Sequence, residues 1–141
     1  MFTRIVAACL VFAVVMVPRS LAGQTMITFE APVKLTQLAP EIQAVSMYCE
    51  IKSQAIVAPN PGQADASAEV PVIAGQLVTT FVVVLQFPQG TLQAPVGQTA
   101  TYRCYLRGRT QTGLGGFSDT ATNPIWVLKP NPVDIQGTFV W

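Results

Sequence analysis

The chain has 141 residues, 50% of them hydrophobic and 11% charged, with 8 basic residues, 7 acidic ones and no histidine. That length allows one domain. The near-neutral balance gives no electrostatic footprint for nucleic acid, and the lack of histidine excludes Ser-His-Asp and Cys-His chemistry and most zinc sites.

Met1–Arg4 is a short basic start, Ile5–Val17 is apolar, Pro18 breaks the run, and Ser20-Leu21-Ala22 offers small residues to a signal peptidase. This pattern predicts a secretory signal peptide over 1–22, cleaved after Ala22. An apolar run of roughly 13 residues is shorter than the roughly 20 a spanning helix needs. Val6-Ala7-Ala8-Cys9 is similar to a lipoprotein box, but the apolar run follows the cysteine instead of preceding it. The mature chain has no second run long enough for a transmembrane helix. Cleavage removes Cys9 and leaves Cys49 and Cys104, which allow one pairing. In an oxidising compartment they are expected to form a disulfide rather than remain as buried thiols.

Within the expected domain, 23–141, Thr25–Leu38 reads as one or two short strands interrupted by Pro32. Gln43–Lys52 alternates cleanly, with Val45, Met47, Cys49 and Ile51 on one face and Ser46, Tyr48, Glu50 and Lys52 on the other. Val57–Pro71 is rich in Pro, Gly, Ala and small polar residues and reads as a long loop. Val70–Ala74 is a short strand before a turn at Gly75. Leu77–Phe87 is apolar on both faces, as expected of a doubly buried strand or of a surface that meets another chain. Pro88–Gly90 is a turn, and Leu92–Gly97 is a short connection.

Thr99–Arg109 alternates again. Tyr102, Cys104, Leu106 and Gly108 face a core, and Arg103, Tyr105, Arg107 and Arg109 face outward. Gln111–Gly116 is a Gly-rich hairpin loop. Ile125–Lys129 is expected to be a strand, Pro130-Asn131-Pro132 stiffens its exit, and 133–141 is a C-terminal strand. No segment has a helical period. About seven strands separated by turn signals predict an all-β sandwich or barrel.

Tyr102-x-Cys104 resembles the end of the tyrosine corner of immunoglobulin-like domains, where a Tyr precedes the second bridging Cys by two residues. Tyr102 through Leu106, Gly108 and Gly113 to Ser118 also resembles the late strand and hairpin of fibronectin type III domains. Leu92–Thr99, with Pro95 and Gly97, is similar to the connection that precedes that Tyr. The resemblance implies an immunoglobulin-like antiparallel β-sandwich of about seven strands with one disulfide. It places Gln43–Lys52 as the second strand, with Cys49 facing across to Cys104, and Tyr102 at the core corner. One departure is plain: no Trp lies between Cys49 and Cys104, where such domains carry a core Trp on the third strand. The expected third strand falls near the 57–71 loop.

No catalytic constellation, metal site or cofactor is expected. Glu30, Glu41, Glu50, Asp65, Glu69, Asp119 and Asp134 are scattered, and no calcium loop or phosphate-cradling Gly motif is present. The row Arg103, Tyr105, Arg107, Arg109 fits either a patch for anions, acidic glycans or an acidic partner surface, or a solvated sheet face whose Arg stems pack over Tyr105 or pair with Glu50 or another carboxylate. Gly137–Trp141 resembles the terminal strand of outer-membrane barrels, but eight strands of about 9–11 residues barely fit the mature length. Ile135, Phe139 and Trp141 instead suit a strand that closes the sandwich or adds to a neighbour's sheet. The expectation is a secreted or periplasmic, non-enzymatic binding or protein-interaction module with a protein or glycan partner. The alternatives are a self-assembling homo-oligomeric subunit that uses its C-terminal tail, and a small outer-membrane barrel.

Overall fold

A computed structural model describes residues 19–21, 24–118, 120–127 and 134–141, the first three by backbone alone. Most of the expected leader, Asp119, and 128–133 lie outside these residues. The strands are β1 (Arg19–Leu21), β2 (Gln24–Leu35), β3 (Ala44–Lys52), β4 (Gln63–Pro71), β5 (Leu77–Phe87), β6 (Thr99–Thr110), β7 (Gly113–Gly116) and β8 (Asp134–Val140). All pairings between them are antiparallel. One sheet, A, has the order β1-β2-β5. The other, B, runs β4-β3-β6, with β7 and β8 both against the far side of β6. β7 pairs with Arg107–Thr110 and β8 with Thr99–Tyr105, so the two share one edge position. Seven strand positions result, in the order of an immunoglobulin-like sandwich whose fourth strand joins the sheet of the third and sixth. Among the described residues β4 pairs only with β3 and β5 only with β2, so the ladders stay open instead of closing into a barrel.

Period-two alternation builds the core between the sheets. Phe29, Ala31, Val33 and Leu35 of β2 and Phe81, Val83, Leu85 and Phe87 of β5 meet Val45, Met47, Cys49 and Ile51 of β3 and Cys104 and Leu106 of β6. Pro32 does not split β2. It pairs with Thr80 inside an uninterrupted ladder, as a proline can on a strand with an open side. β1 covers only Gln24–Met26 of that side, and β1 itself lies within the expected leader.

Three expectations are corrected. The long loop contains β4, because Ala64, Ala66, Ala68 and Val70 pack on the core while Asp65, Ser67 and Glu69 point out. That alternation is carried by alanines too small to register as a hydrophobic pattern. The short strand expected at Val70–Ala74 is the end of β4 plus a turn, bridged between Ile73 and Gln76. Pro124–Trp126 is a 3-10 turn, not a strand. The Asn123 side chain caps it by accepting a hydrogen bond from the Ile125 N–H, and Pro124 starts it.

The bridged strand is also relocated. Ala44–Lys52 is the third strand position, and it lies beside β6 in the same sheet. Cys49 and Cys104 are direct cross-strand partners with Cα atoms 4.1 Å apart. The disulfide therefore staples one sheet instead of spanning two.

Trp126 covers the upper end of sheet B. Gly108 and Gly115 are register partners and form the floor beneath its ring. A Cβ at Gly115 would stand 2.5 Å from the indole carbons, and one at Gly108 would stand 2.7 Å from the same ring. Gly115→Ala is therefore expected to cost about 1–3 kcal/mol by overpacking. Gly116→Ala, whose Cβ meets nothing within 4 Å, should leave urea denaturation nearly unchanged. Equal midpoints for the two variants would show that the ring does not depend on that floor.

Candidate interaction face of sheet B

The outward face of sheet B is organised by the register through the disulfide. With Cys49 opposite Cys104, Tyr48 stands opposite Tyr105, Ser46 opposite Arg107 and Glu50 opposite Arg103. The two tyrosine rings are 5.2 Å apart and tilted by 52°. Ser46 is small, so the Arg107 side chain has room to lie back over the pair. Its guanidinium is 4.1 Å from the Tyr48 centroid and 5.0 Å from that of Tyr105. It also donates a short hydrogen bond to the Tyr105 hydroxyl. Arg103 approaches the other side of Tyr105, 5.1 Å from its centroid. Contacts of this kind contribute about 0.5–1 kcal/mol each at exposed sites. Their larger consequence is that the guanidinium planes are held in place.

The flanking arginines are engaged by carboxylates. Arg103 donates from Nε and Nη2 to both oxygens of Asp134, at 2.7 and 2.6 Å. Arg109 does the same to Glu69, at 3.0 and 2.7 Å. Hydrogen bonds from Arg103 hold the Asp134 carboxyl below the usual carboxylate range. Both pairs remain about half exposed, so each adds little to stability. Lys52 pairs with Glu50, which also accepts a hydrogen bond from Gln63. Burial, with Asp65 nearby, raises the Tyr48 phenol above its ordinary value. Arg107 differs from its neighbours: among the described residues it makes no ion pair.

The expected row Arg103, Tyr105, Arg107, Arg109 is thus assembled on one face. Of the partners that give it shape, Tyr48, Glu69 and Asp134 were not singled out from sequence. The signal for Tyr48 was available, since any antiparallel pairing through Cys49 and Cys104 sets it opposite Tyr105.

The other expected residues lie elsewhere. Tyr102 points inward, partly buried, with its ring 5.5 Å from Phe29 and 6.5 Å from Phe139. It lies against Gly137, its register partner, where a Cβ would come within 2.7 Å of it. Ile135, Phe139 and Trp141 belong to the half-buried side of β8 and its end, against their own chain. A shallow depression of about 410 Å³ runs over Glu50, Lys52, Thr101, Arg103, Gln136 and Thr138, below the tyrosine pair. Among the described residues no group of His, Cys, Asp or Glu is placed to hold a metal ion, and no helix is long and apolar enough to cross a membrane. Comparison with family models, curated proteins and solved structures finds no match to this chain.

Proposed function

We propose that this chain is an exported, non-enzymatic interaction module of the cell envelope or extracellular space, and that the outer face of sheet B binds an anionic partner surface. The observation that carries the reading is Arg107, a guanidinium fixed over two tyrosines with no carboxylate of its own among the described residues. A planar, pre-positioned donor fork suits a carboxylate or sulfate group. Arg103 and Arg109 on either side are each neutralised by a carboxylate, Asp134 and Glu69, in half-exposed pairs that the groups of an anionic partner can displace. The signal-like N-terminus supports export, and the cysteine pair suits an oxidising compartment. Three carboxylates on this face, Glu50, Glu69 and Asp134, are engaged by lysine, glutamine and arginine, and the fourth, Asp65, lies beside the Tyr48 phenol.

The test is titration calorimetry with two defined anionic probes, a heparin-derived octasaccharide and a polyglutamate peptide. Wild-type protein is expected to bind at least one of them, with affinity that falls as salt rises. Arg107→Gln should weaken that binding about tenfold or more, the loss typical of a central arginine, while the loss of its two ring contacts lowers the melting temperature by about 4–10 °C and leaves the protein folded. Binding that survives Arg107→Gln, or no binding of either probe, overturns the reading.

A further inference from the structure

Next to the Arg107 seat, the depression of about 410 Å³ has so far had no part in binding. The strand register builds it from two cross-strand rows. Glu50 of β3, Arg103 of β6 and Gln136 of β8 form the first, and Lys52, Thr101 and Thr138 form the second. Both rows follow the Tyr48–Tyr105 row, over which the Arg107 guanidinium lies. Neighbouring rows are two residues apart along the strands, about 7 Å. One extended ligand therefore reaches from the guanidinium across both rows.

The lining discriminates between ligands by hydrogen-bond type. Thr101, Gln136 and Thr138 are exposed, and among the described residues their side chains make no hydrogen bond. Each of them both donates and accepts. Glu50 is held by Lys52 and Gln63, but its carboxylate has lone pairs to spare and only accepts. A sugar hydroxyl also donates and accepts, so it suits all four. A peptide carboxylate only accepts, and it would bring a second negative charge up to Glu50. None of the exposed large hydrophobic side chains lines the depression; Val78, Val82 and Val84 belong to β5, in the other sheet. Nor do the two tyrosines offer a bare apolar surface, because Arg107 lies over both rings. A protein partner would find no place here for the apolar centre that its interfaces bury.

We propose that the anionic partner of sheet B is an acidic glycan. Its carboxylate or sulfate sits on Arg107, and the adjoining sugar enters the depression. There its hydroxyls donate to Glu50 and exchange hydrogen bonds with Gln136, Thr101 and Thr138. The glycan chain runs along β6, from the tyrosine row towards Thr101. This assignment rests on the anionic-partner reading of the face and adds the class of partner to it. Charge on the guanidinium gives attraction, which salt screens. The hydroxyl and amide groups of the depression give the choice between a sugar and an acidic peptide.

Titration calorimetry with a heparin-derived octasaccharide, a hyaluronan octasaccharide and a polyglutamate peptide tests this. The proteins are wild type, Arg107→Gln, and a double variant carrying Gln136→Ala and Thr138→Ala. At least one octasaccharide is expected to bind wild type more tightly than polyglutamate does. The double variant should weaken that octasaccharide about tenfold, the loss expected of two net hydrogen bonds, and leave any polyglutamate binding unchanged. Both substituted side chains are exposed, so its melting curve should stay close to that of wild type. Octasaccharide binding that survives the double variant, or polyglutamate binding as tight as that of the better octasaccharide, overturns the glycan assignment. If Arg107→Gln still abolishes that binding, the anion seat stands without it. No binding of any probe, or binding untouched by Arg107→Gln, removes the seat and the assignment together. If the double variant fails to fold, amide shifts of the wild type during octasaccharide titration decide instead. Shifts at 50–52 and 136–138 support the depression as the sugar site, and shifts confined to Tyr48 and 105–109 reject it.

Discussion

Replacing Cys49 and Cys104 together with alanine is expected to lower stability by roughly 4 kcal/mol, the loop-entropy value for a bridge across about 55 residues. That is a large share of the 5–15 kcal/mol typical of a domain. The bridge joins β3 and β6, the two inner strands of sheet B, at the middle of a ladder running from Ala44–Arg109 to Lys52–Thr101. Its sulfurs sit in the core, with Cys49 fully buried and Cys104 nearly so. Because backbone pairing already holds the two residues adjacent, the reduced chain is expected to keep the same native structure. The loss then falls chiefly on the unfolded state, which regains the freedom the bridge removed. In urea, with a slope of about 1–3 kcal/mol per molar, the midpoint should drop by at least about 1.3 M, with the native far-UV spectrum unchanged before the transition. Reduction of the wild-type protein should reproduce most of the shift without any substitution. A midpoint that moves by less than about 0.5 M would show that the unfolded chain is already compact around this pair.

The same two cysteines explain why part of the structure was legible and part was not. Strands whose inward residues are large announce themselves. Val45, Met47, Cys49 and Ile51 alternate with polar residues, as do Cys104 and Leu106 with the arginines, and all of these faces are as the alternation requires. β4 is also an alternating strand, but its inward residues are Ala64, Ala66 and Ala68, and the prolines just before it at 59 and 61 reinforce a loop reading. Trp126 misled in the opposite direction. An alternating pair of large residues suggested a strand, while the capping Asn123 and the following Pro124 were the stronger local signal. Sheet assignment lay further out of reach. A pair of cysteines fixes proximity, yet the same pairing serves strands that face each other across a core or lie side by side. Placing Cys49 across the sandwich carried over the commoner arrangement, and with it a misnumbered strand. Once the bridge is known to be lateral, the whole outer face follows by register, including the Tyr48–Tyr105 pair and the seat of Arg107 over it. The ion pairs Arg103–Asp134 and Arg109–Glu69 needed the structure, since each depends on which strands flank β6 and β3.

Trp141→Ala is expected to cost about 2–4 kcal/mol, somewhat below the range for a fully buried tryptophan. No Trp lies between the cysteines; Trp141 packs against the core from beyond them. Its ring stands edge-on to Phe87 at 5.4 Å and to Phe139 at 5.1 Å. Its indole N–H donates to Ser53 Oγ at 3.0 Å, and that hydroxyl in turn donates to the Thr99 carbonyl and accepts from the Ala55 N–H. The Trp141 backbone N–H donates to the Gln98 carbonyl at 3.0 Å. One residue thus ties the end of β5, the turn after β3, the start of β6 and the end of β8. Trp141→Phe keeps the ring contacts and removes the indole donor, so it should cost only about 1 kcal/mol, because Ser53 retains its other partners. The two variants separate packing from polarity. They also separate a closing strand from an assembly strand. If the Ile135, Phe139, Trp141 side of β8 seals its own sandwich, Trp141→Ala shifts the urea midpoint by about 1–2 M and leaves the mass in solution unchanged. A variant that kept wild-type stability but changed oligomeric mass would instead assign this side to a neighbouring subunit, and β8 would then be exchanged between chains instead of closing its own.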